Sequence, residues 1–207
     1  MRHRMTSLKF YKQAAVYLSK KDRKLAKIIE QTNLVPLELH GDYFRELTES
    51  IIGQQLSIKA ADTILSRFYK LMKGPIAPRK VLKLKDDDIR KAGISYQKIS
   101  YIKDLAKKFG DGEIEFHKFE KLTDEKIIEE LIAVRGIGRW TAEMFLIFGL
   151  GRPDVFSYGD LGLRRAIEKL YKIKDLKEIK AIRISEKWKP YRSVASRYLW
   201  KSLNNKG

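Results

Sequence analysis

The sequence of 207 residues contains no cysteine. Disulfides, thiolate metal sites, thiol nucleophiles and cysteine-ligated iron–sulfur clusters are excluded together. Histidine is scarce: His3, His40 and His117 stand far apart with no ligand spacing among them, so no catalytic metal is expected. No apolar run approaches the roughly 20 residues that span a bilayer. The basic start MRHRMTSLKFYKQ has no continuous apolar stretch behind it, so a secretory signal is not expected either. Acid is short relative to base, with 26 Asp and Glu against 44 Lys and Arg and a formal net charge of +18. A charge of that size repels itself in a folded chain, and its natural complement is a polyanion, nucleic acid ahead of an anionic membrane surface. Hydrophobic residues make up 43%, enough for a core in one domain or in two small lobes.

What is present reads almost wholly as helix. Leu8, Val16, Leu18, Leu25, Ile28 and Ile29 fall at helical spacing over residues 8–33. A second amphipathic run follows Gly41-Asp42 and ends near Gly53-Gln54-Gln55. Ser57 is the expected N-cap of a third, Ile58 to Leu71. After the loop Gly74–Pro78 come short helices around Arg79–Leu82 and Asp86–Ala92, then Gln97–Phe109. Thr123 is the expected N-cap of a helix through Val134. Three more helices are expected near Arg139–Phe148, Leu161–Tyr171 and Val194–Leu203. No strand-like alternation, repeat or low-complexity linker stands out. The expected fold is all-α, a two-lobed helical bundle of a single unit with lobes of about 36–139 and 1–35 plus 140–207.

The strongest local signal is residues 128–149, IEELIAVRGIGRWTAEMFLIFG. Arg135-Gly136-Ile137-Gly138 joins two amphipathic helices. Glycines two apart allow a tight turn closed to other residues, and the start of the second helix offers unpaired N–H groups and partial positive charge to a phosphate. Such contacts hold the nucleic-acid backbone and do not read bases. A bare Gly-x-Gly is common; the whole pattern, apolar helix, turn, Gly-Arg-Trp-Thr-Ala and second apolar helix, is more specific. It resembles the helix-hairpin-helix motif of DNA-binding proteins. An ordinary corner between two helices with glycine caps is the plainer alternative.

Downstream lies Gly151-Arg152-Pro153-Asp154-Val155-Phe156-Ser157-Tyr158-Gly159-Asp160. This resembles the Gly/Pro-rich loop with a terminal aspartate of the helix-hairpin-helix glycosylase superfamily. Ile52–Ser57, Gly138–Ala142, and Trp188–Ser193 with Trp200 bring the resemblance closer to its alkylation-repair branch, the 3-methyladenine DNA glycosylase II enzymes. It covers roughly residues 40–203. Two departures are visible. The chain has no room for the additional N-terminal β-domain of some members, and Gly159 stands where many carry a second acid.

The resemblance implies a monofunctional glycosylase acting in the cleft between lobes. It would flip out N3- or N7-methylated purines and hydrolyse the glycosidic bond, leaving an abasic site in base excision repair. Asp160 is the implied catalytic carboxylate; alone it reads equally as an N-cap of the following helix. Asp154 is its competitor. Trp140 occupies the position where bifunctional members carry a nucleophilic lysine, which argues against strand cleavage. Trp140, Trp200, Met144 and Tyr191 are the implied base pocket, with core packing as the alternative for each tryptophan. Gly136, Ile137, Gly138, Arg139, Gln54, Tyr96, Lys98 and Arg192 are the implied DNA contacts, Tyr96 as a wedge between base pairs. Gln54 is equally a helix-end cap, and Tyr96 a surface turn residue. No cofactor is implied beyond a monovalent cation, sodium or potassium, on the carbonyls of Ile132, Val134 and Gly136. The expected partner is double-stranded DNA with a damaged base, bound by an intracellular, DNA-associated monomer with no membrane attachment. A glycosylase for oxidised, deaminated or mismatched bases, and a non-catalytic DNA-binding module, remain as alternatives.

Overall fold

The computed structural model describes residues 5–204, so His3 lies outside it. Every regular element among the described residues is helical, and none is long and apolar enough to cross a membrane. The chain divides into two units: Met1–Leu39 with Leu146–Gly207, and His40–Phe145.

The discontinuous unit begins with α1 (Leu8–Lys21) and α2 (Arg23–Glu30). Periodicity alone predicts one long helix here. Asp22 breaks it: its backbone is extended, at φ −145°, and its carboxylate accepts from the N–H groups of Lys24 and Leu25, capping α2. The same carboxylate accepts from Trp188 Nε1 at 2.9 Å and from the Tyr171 hydroxyl, with Lys187 Nζ 3.3 Å away. Burial pushes the Asp22 carboxyl up, but these hydrogen bonds and the lysine together hold it below its ordinary value.

The continuous unit holds α3 (Tyr43–Gly53), α4 (Ile58–Met72), α5 (Pro78–Lys83), α6 (Asp86–Lys91), α7 (Tyr96–Gly110), α8 (Asp124–Ile132) and α9 (Arg139–Met144). Asp42, Ser57, Ser95 and Thr123 cap α3, α4, α7 and α8 through their side chains. α7 packs against α3, α5 and α6. Its buried stripe is Ile99, Ile102, Leu105 and Ala106, meeting a core to which α3 contributes Phe44, Leu47 and Ile51. Each large apolar side chain of this kind stabilises the fold by about 1.5–3 kcal/mol on burial. Phe116 packs its ring 5.1 Å from both Phe109 and Phe119.

After α9 the chain runs through a π-helical segment, Phe145–Gly149, where the sequence predicts a single α-helix through Phe148. The wider turn changes the phase of the side chains that follow, and Phe148 stands 43% exposed beside fully buried Leu146 and Ile147. The discontinuous unit is completed by α10 (Leu161–Tyr171), α11 (Glu178–Ser185) and α12 (Arg192–Asn204), with α12 packed against α10 and α2. α11 is not among the expected helices: Ile179 and Ile182 are exposed on it, so it lacks a strong apolar period.

Candidate active site and nucleic-acid interface

Asp160 ends the loop that leads into α10 and is that helix's N-cap. Its Oδ1 accepts from the Leu163 backbone N–H at 2.6 Å and from Trp200 Nε1 at 2.7 Å. The carboxylate is thus clamped between the first turn of α10 and the far end of α12. Trp200 in turn lies against Phe148, with ring centroids 5.7 Å apart and planes 33° from parallel. A side chain at Gly162 would crowd this arrangement, since a Cβ there would sit 3.2 Å from Asp160 Oδ1 and 3.5 Å from Trp200 Cδ1. A half-buried, oriented carboxylate next to an aromatic pair suits the stabilisation of a cation.

Asp154 is engaged differently. Arg192 grips it through Nε–H to Oδ1 at 2.8 Å and Nη2–H to Oδ2 at 3.0 Å, and also bonds the Asp154 carbonyl. This bidentate pair ties the loop to the start of α12. Arg192, expected at a phosphate, thus spends its Nε and Nη2 donors within the unit. Tyr191, half-buried, is packed edge-on against Phe10 and Tyr17. Trp188, fully buried on Asp22, is core.

In the continuous unit, α8 and α9 form the hairpin. Gly136 has φ +81°, and a Cβ there would fall 2.0 Å from the Tyr101 ring. Both the backbone conformation and the ring demand glycine. Gly138 faces open space, and α9 starts with no side-chain cap, which leaves its first turn to an outside acceptor. Ile137 does not belong to that surface: its side chain is buried and its N–H bonds the Val134 carbonyl at 3.1 Å. The Gly136 carbonyl accepts from Gln54 Nε2 at 2.9 Å. Two of the three carbonyls expected to hold a monovalent cation are therefore already hydrogen-bonded. A carbonyl oxygen has two lone pairs, so each of these two keeps one for a further partner.

Arg139, the first residue of α9, donates from Nη1 and Nη2 to the two carboxylate oxygens of Glu125 at 2.7 and 2.9 Å, and from Nε to Glu143 at 3.0 Å. The Glu125 hydrogen bonds raise the guanidinium's pKa, against a smaller opposing effect of burial. A cation at a helix N-terminus is unfavourable by itself, and the two acids neutralise it. Lys98 reaches the carbonyls of Ile52 and Gln54 at 2.8 and 2.6 Å, and burial lowers its pKa. Tyr96, 56% exposed at the start of α7, donates to Asp87 at 2.8 Å. Trp140 is 47% exposed on α9, and Met144 stands one turn further along the same helix, half-buried.

Of the expected residues, the structure brings Asp160 and Trp200 into direct contact. Gln54, Lys98 and Gly136 meet through hydrogen bonds among themselves. Sequence reasoning missed Phe148, read there as part of an apolar helix, and Gln55. The latter is exposed with φ +57°, an uncommon conformation for a non-glycine residue and one that marks the tip of the 53–57 turn.

Residues 48–190 match the family described as HhH-GPD superfamily base excision DNA repair protein. A Bacillus subtilis relative assigned to the DNA-3-methyladenine glycosylases is 34% identical over 188 residues, 86% of this chain; the chain spans 65% of that protein's length. The crystal structure of DNA-3-methyladenine glycosidase from Bacillus halodurans superposes with a TM-score of 0.85 at 36% identity, covering 99% of this chain and 94% of that one. The 3-methyladenine DNA glycosylase of Schizosaccharomyces pombe, solved in complex with abasic DNA, gives 0.82 at 32% identity, covering 94% of this chain and 98% of that one.

Proposed function

The chain belongs to the HhH-GPD superfamily of base excision DNA repair proteins, and from that premise we propose that it is a monofunctional DNA glycosylase that excises N3- and N7-alkylated purines. The observation that carries the reading is Asp160, fixed by the Leu163 and Trp200 N–H groups beside the Trp200–Phe148 pair. Its partner is double-stranded DNA containing the damaged base, bound by a monomer. The target nucleotide leaves the helix to be reached. The glycosidic bond breaks, its electron pair goes to the base, and positive charge develops on the sugar. Asp160 stabilises that charge and orients the water that bonds to C1′, giving up its proton as the abasic site forms.

An alkylated purine carries positive charge and departs neutral, so it needs no acid to protonate it. That suits a site with one carboxylate and with Gly159 immediately before it. Trp140, at the position of the lysine nucleophile in bifunctional relatives, offers no amine for a Schiff base. The exposed first turn of α9 at Gly138 holds phosphate through the backbone. Tyr96 and Gln55 are exposed at their turns and suited to enter the duplex, Gln55 in place of Gln54, whose amide is on Gly136.

The test is excision from duplexes each carrying one lesion: 3-methyladenine, 7-methylguanine, 1-methyladenine, hypoxanthine and 8-oxoguanine. Release of the first two with an intact abasic product is expected. Release of 8-oxoguanine alone would move the assignment to oxidised bases, and no release from any duplex, with binding retained, would leave a non-catalytic DNA-binding protein.

A further inference from the structure

Gln54 and Lys98 carry the polarity of DNA contacts, but their side-chain atoms are spent inside the protein. Lys98 Nζ caps the C-terminal end of α3, donating to the Ile52 and Gln54 carbonyls. A cation there complements the partial negative charge of the helix end. Gln54 then passes the restraint on: its amide donates to the Gly136 carbonyl in the hairpin turn, 82 residues away in sequence. Two further side chains of α7 reach the same turn. Tyr101 covers Gly136 so closely that no Cβ fits, and Asp104 accepts the Arg135 backbone N–H at 2.9 Å with Arg135 Nε 3.5 Å from its other oxygen. Gln97 fixes the Tyr101 hydroxyl at 2.6 Å. Lys98, Tyr101 and Asp104 succeed one another at intervals of three residues, along one side of α7.

We propose that this side of α7 is a brace that couples the 53–57 turn to the hairpin turn, with Lys98 and Gln54 as positioning residues that set the register of two DNA-facing backbones and touch no phosphate themselves. The two turns come from opposite ends of the unit's sequence, and each is irregular backbone, so neither is positioned by its own helix alone. The brace lets both present their N–H groups and side chains at one spacing before DNA arrives. The inference rests on the DNA-binding reading for its purpose, though not for its geometry.

The experiment uses the full chain and the variants Lys98→Met, Gln54→Leu and their combination. Amide hydrogen exchange in the absence of DNA is followed at residues 134–139. Loss of one brace bond should speed exchange there about fivefold or more in each single variant. The double variant should fall short of the product of the two effects, since one bond transmits the other. In parallel, affinity for an undamaged duplex is measured against salt. A lysine on a phosphate would lower the log–log slope by about 0.9 when removed; a bracing lysine leaves the slope unchanged while affinity falls. Unchanged exchange in the hairpin, or a slope reduced by about one unit in Lys98→Met, overturns the proposal. Parental protein that ignores the duplex while its hairpin exchange responds as expected would overturn the glycosylase reading and leave the brace standing.

Discussion

At the scale of single residues, Asp160 caps α10 and is the carboxylate proposed to react, and the two roles separate by substitution. An asparagine in its place would keep a side-chain carbonyl for the Leu163 and Trp200 N–H groups while losing the charge and exchanging the second acceptor oxygen for an N–H donor. Asp160→Asn should therefore fold normally, bind DNA as well as or better than the parent, and lose about 10²–10³-fold in single-turnover base release. Near-parental turnover would remove Asp160 from the chemistry. Trp200→Phe retains a ring for Phe148 and removes the N–H that steadies Asp160. A decrease of roughly tenfold in the same rate is expected, the share of one charge-assisted hydrogen bond. An unchanged rate at equal stability would mean the clamp is not used. Product DNA should carry an intact abasic site, and borohydride should trap no covalent adduct. An adduct at parental efficiency would mean that a lysine attacks the sugar after all. Parts of the candidate site were legible before the fold: an aspartate closing a Gly/Pro-rich loop after the hairpin pattern singled out Asp160, and the resemblance singled out Trp200, but the hydrogen bond between them was not readable. Phe148 was not, because a π turn changes which residue of an apolar run faces outward, and no residue type announces that. The pairing of Arg192 was not legible because its partner Asp154 is 38 residues away, and a basic residue shows its charge but not its counter-ion.

At the scale of elements, α3 carries a titration of its own. Burial pushes Glu46 up to about 7, Glu49 and Asp42 add to it, and Arg45 works against it. A carboxyl that holds its proton more tightly when folded stabilises the fold fully below its unfolded value near 4.5 and loses that contribution as pH rises through about 7. The parental protein should thus melt a few degrees lower at pH 8 than near pH 5 on this account, with the dependence flattened in Glu46→Gln. Parallel curves for the two proteins would remove Glu46 as the source. Helix ends marked by Ser57 and Thr123 were readable because a hydroxyl before an apolar period is a local signal. The break at Asp22 needed more, since its partners Tyr171 and Trp188 belong to another part of the chain.

At the scale of the whole molecule, a net charge of +18 and the proposed phosphate contacts at the hairpin would make binding electrostatic and tolerant of sequence. Affinity should fall steeply with salt, by about 0.9 log units per log unit for each phosphate neutralised, and change little when bases flanking the lesion are exchanged. A flat salt dependence or a strict sequence requirement would contradict the hairpin assignment. The all-α class was legible from periodicity in every helix but α11, whose Ile179 and Ile182 face outward.

The division of the chain also sets an order of assembly at the ribosome. The His40–Phe145 unit is continuous, whereas its companion is made of Met1–Leu39 and Leu146–Gly207. Synthesis proceeds from the N-terminus and units fold as they are completed. α3 to α9 can therefore close their core while α1 and α2 still wait for α10 and α12, which have not been made. Until then the buried faces of Leu18 and Leu25 are exposed to the nascent-chain environment. Chains stalled shortly after residue 145 has emerged should resist protease across residues 40–145 and be cut within residues 8–30.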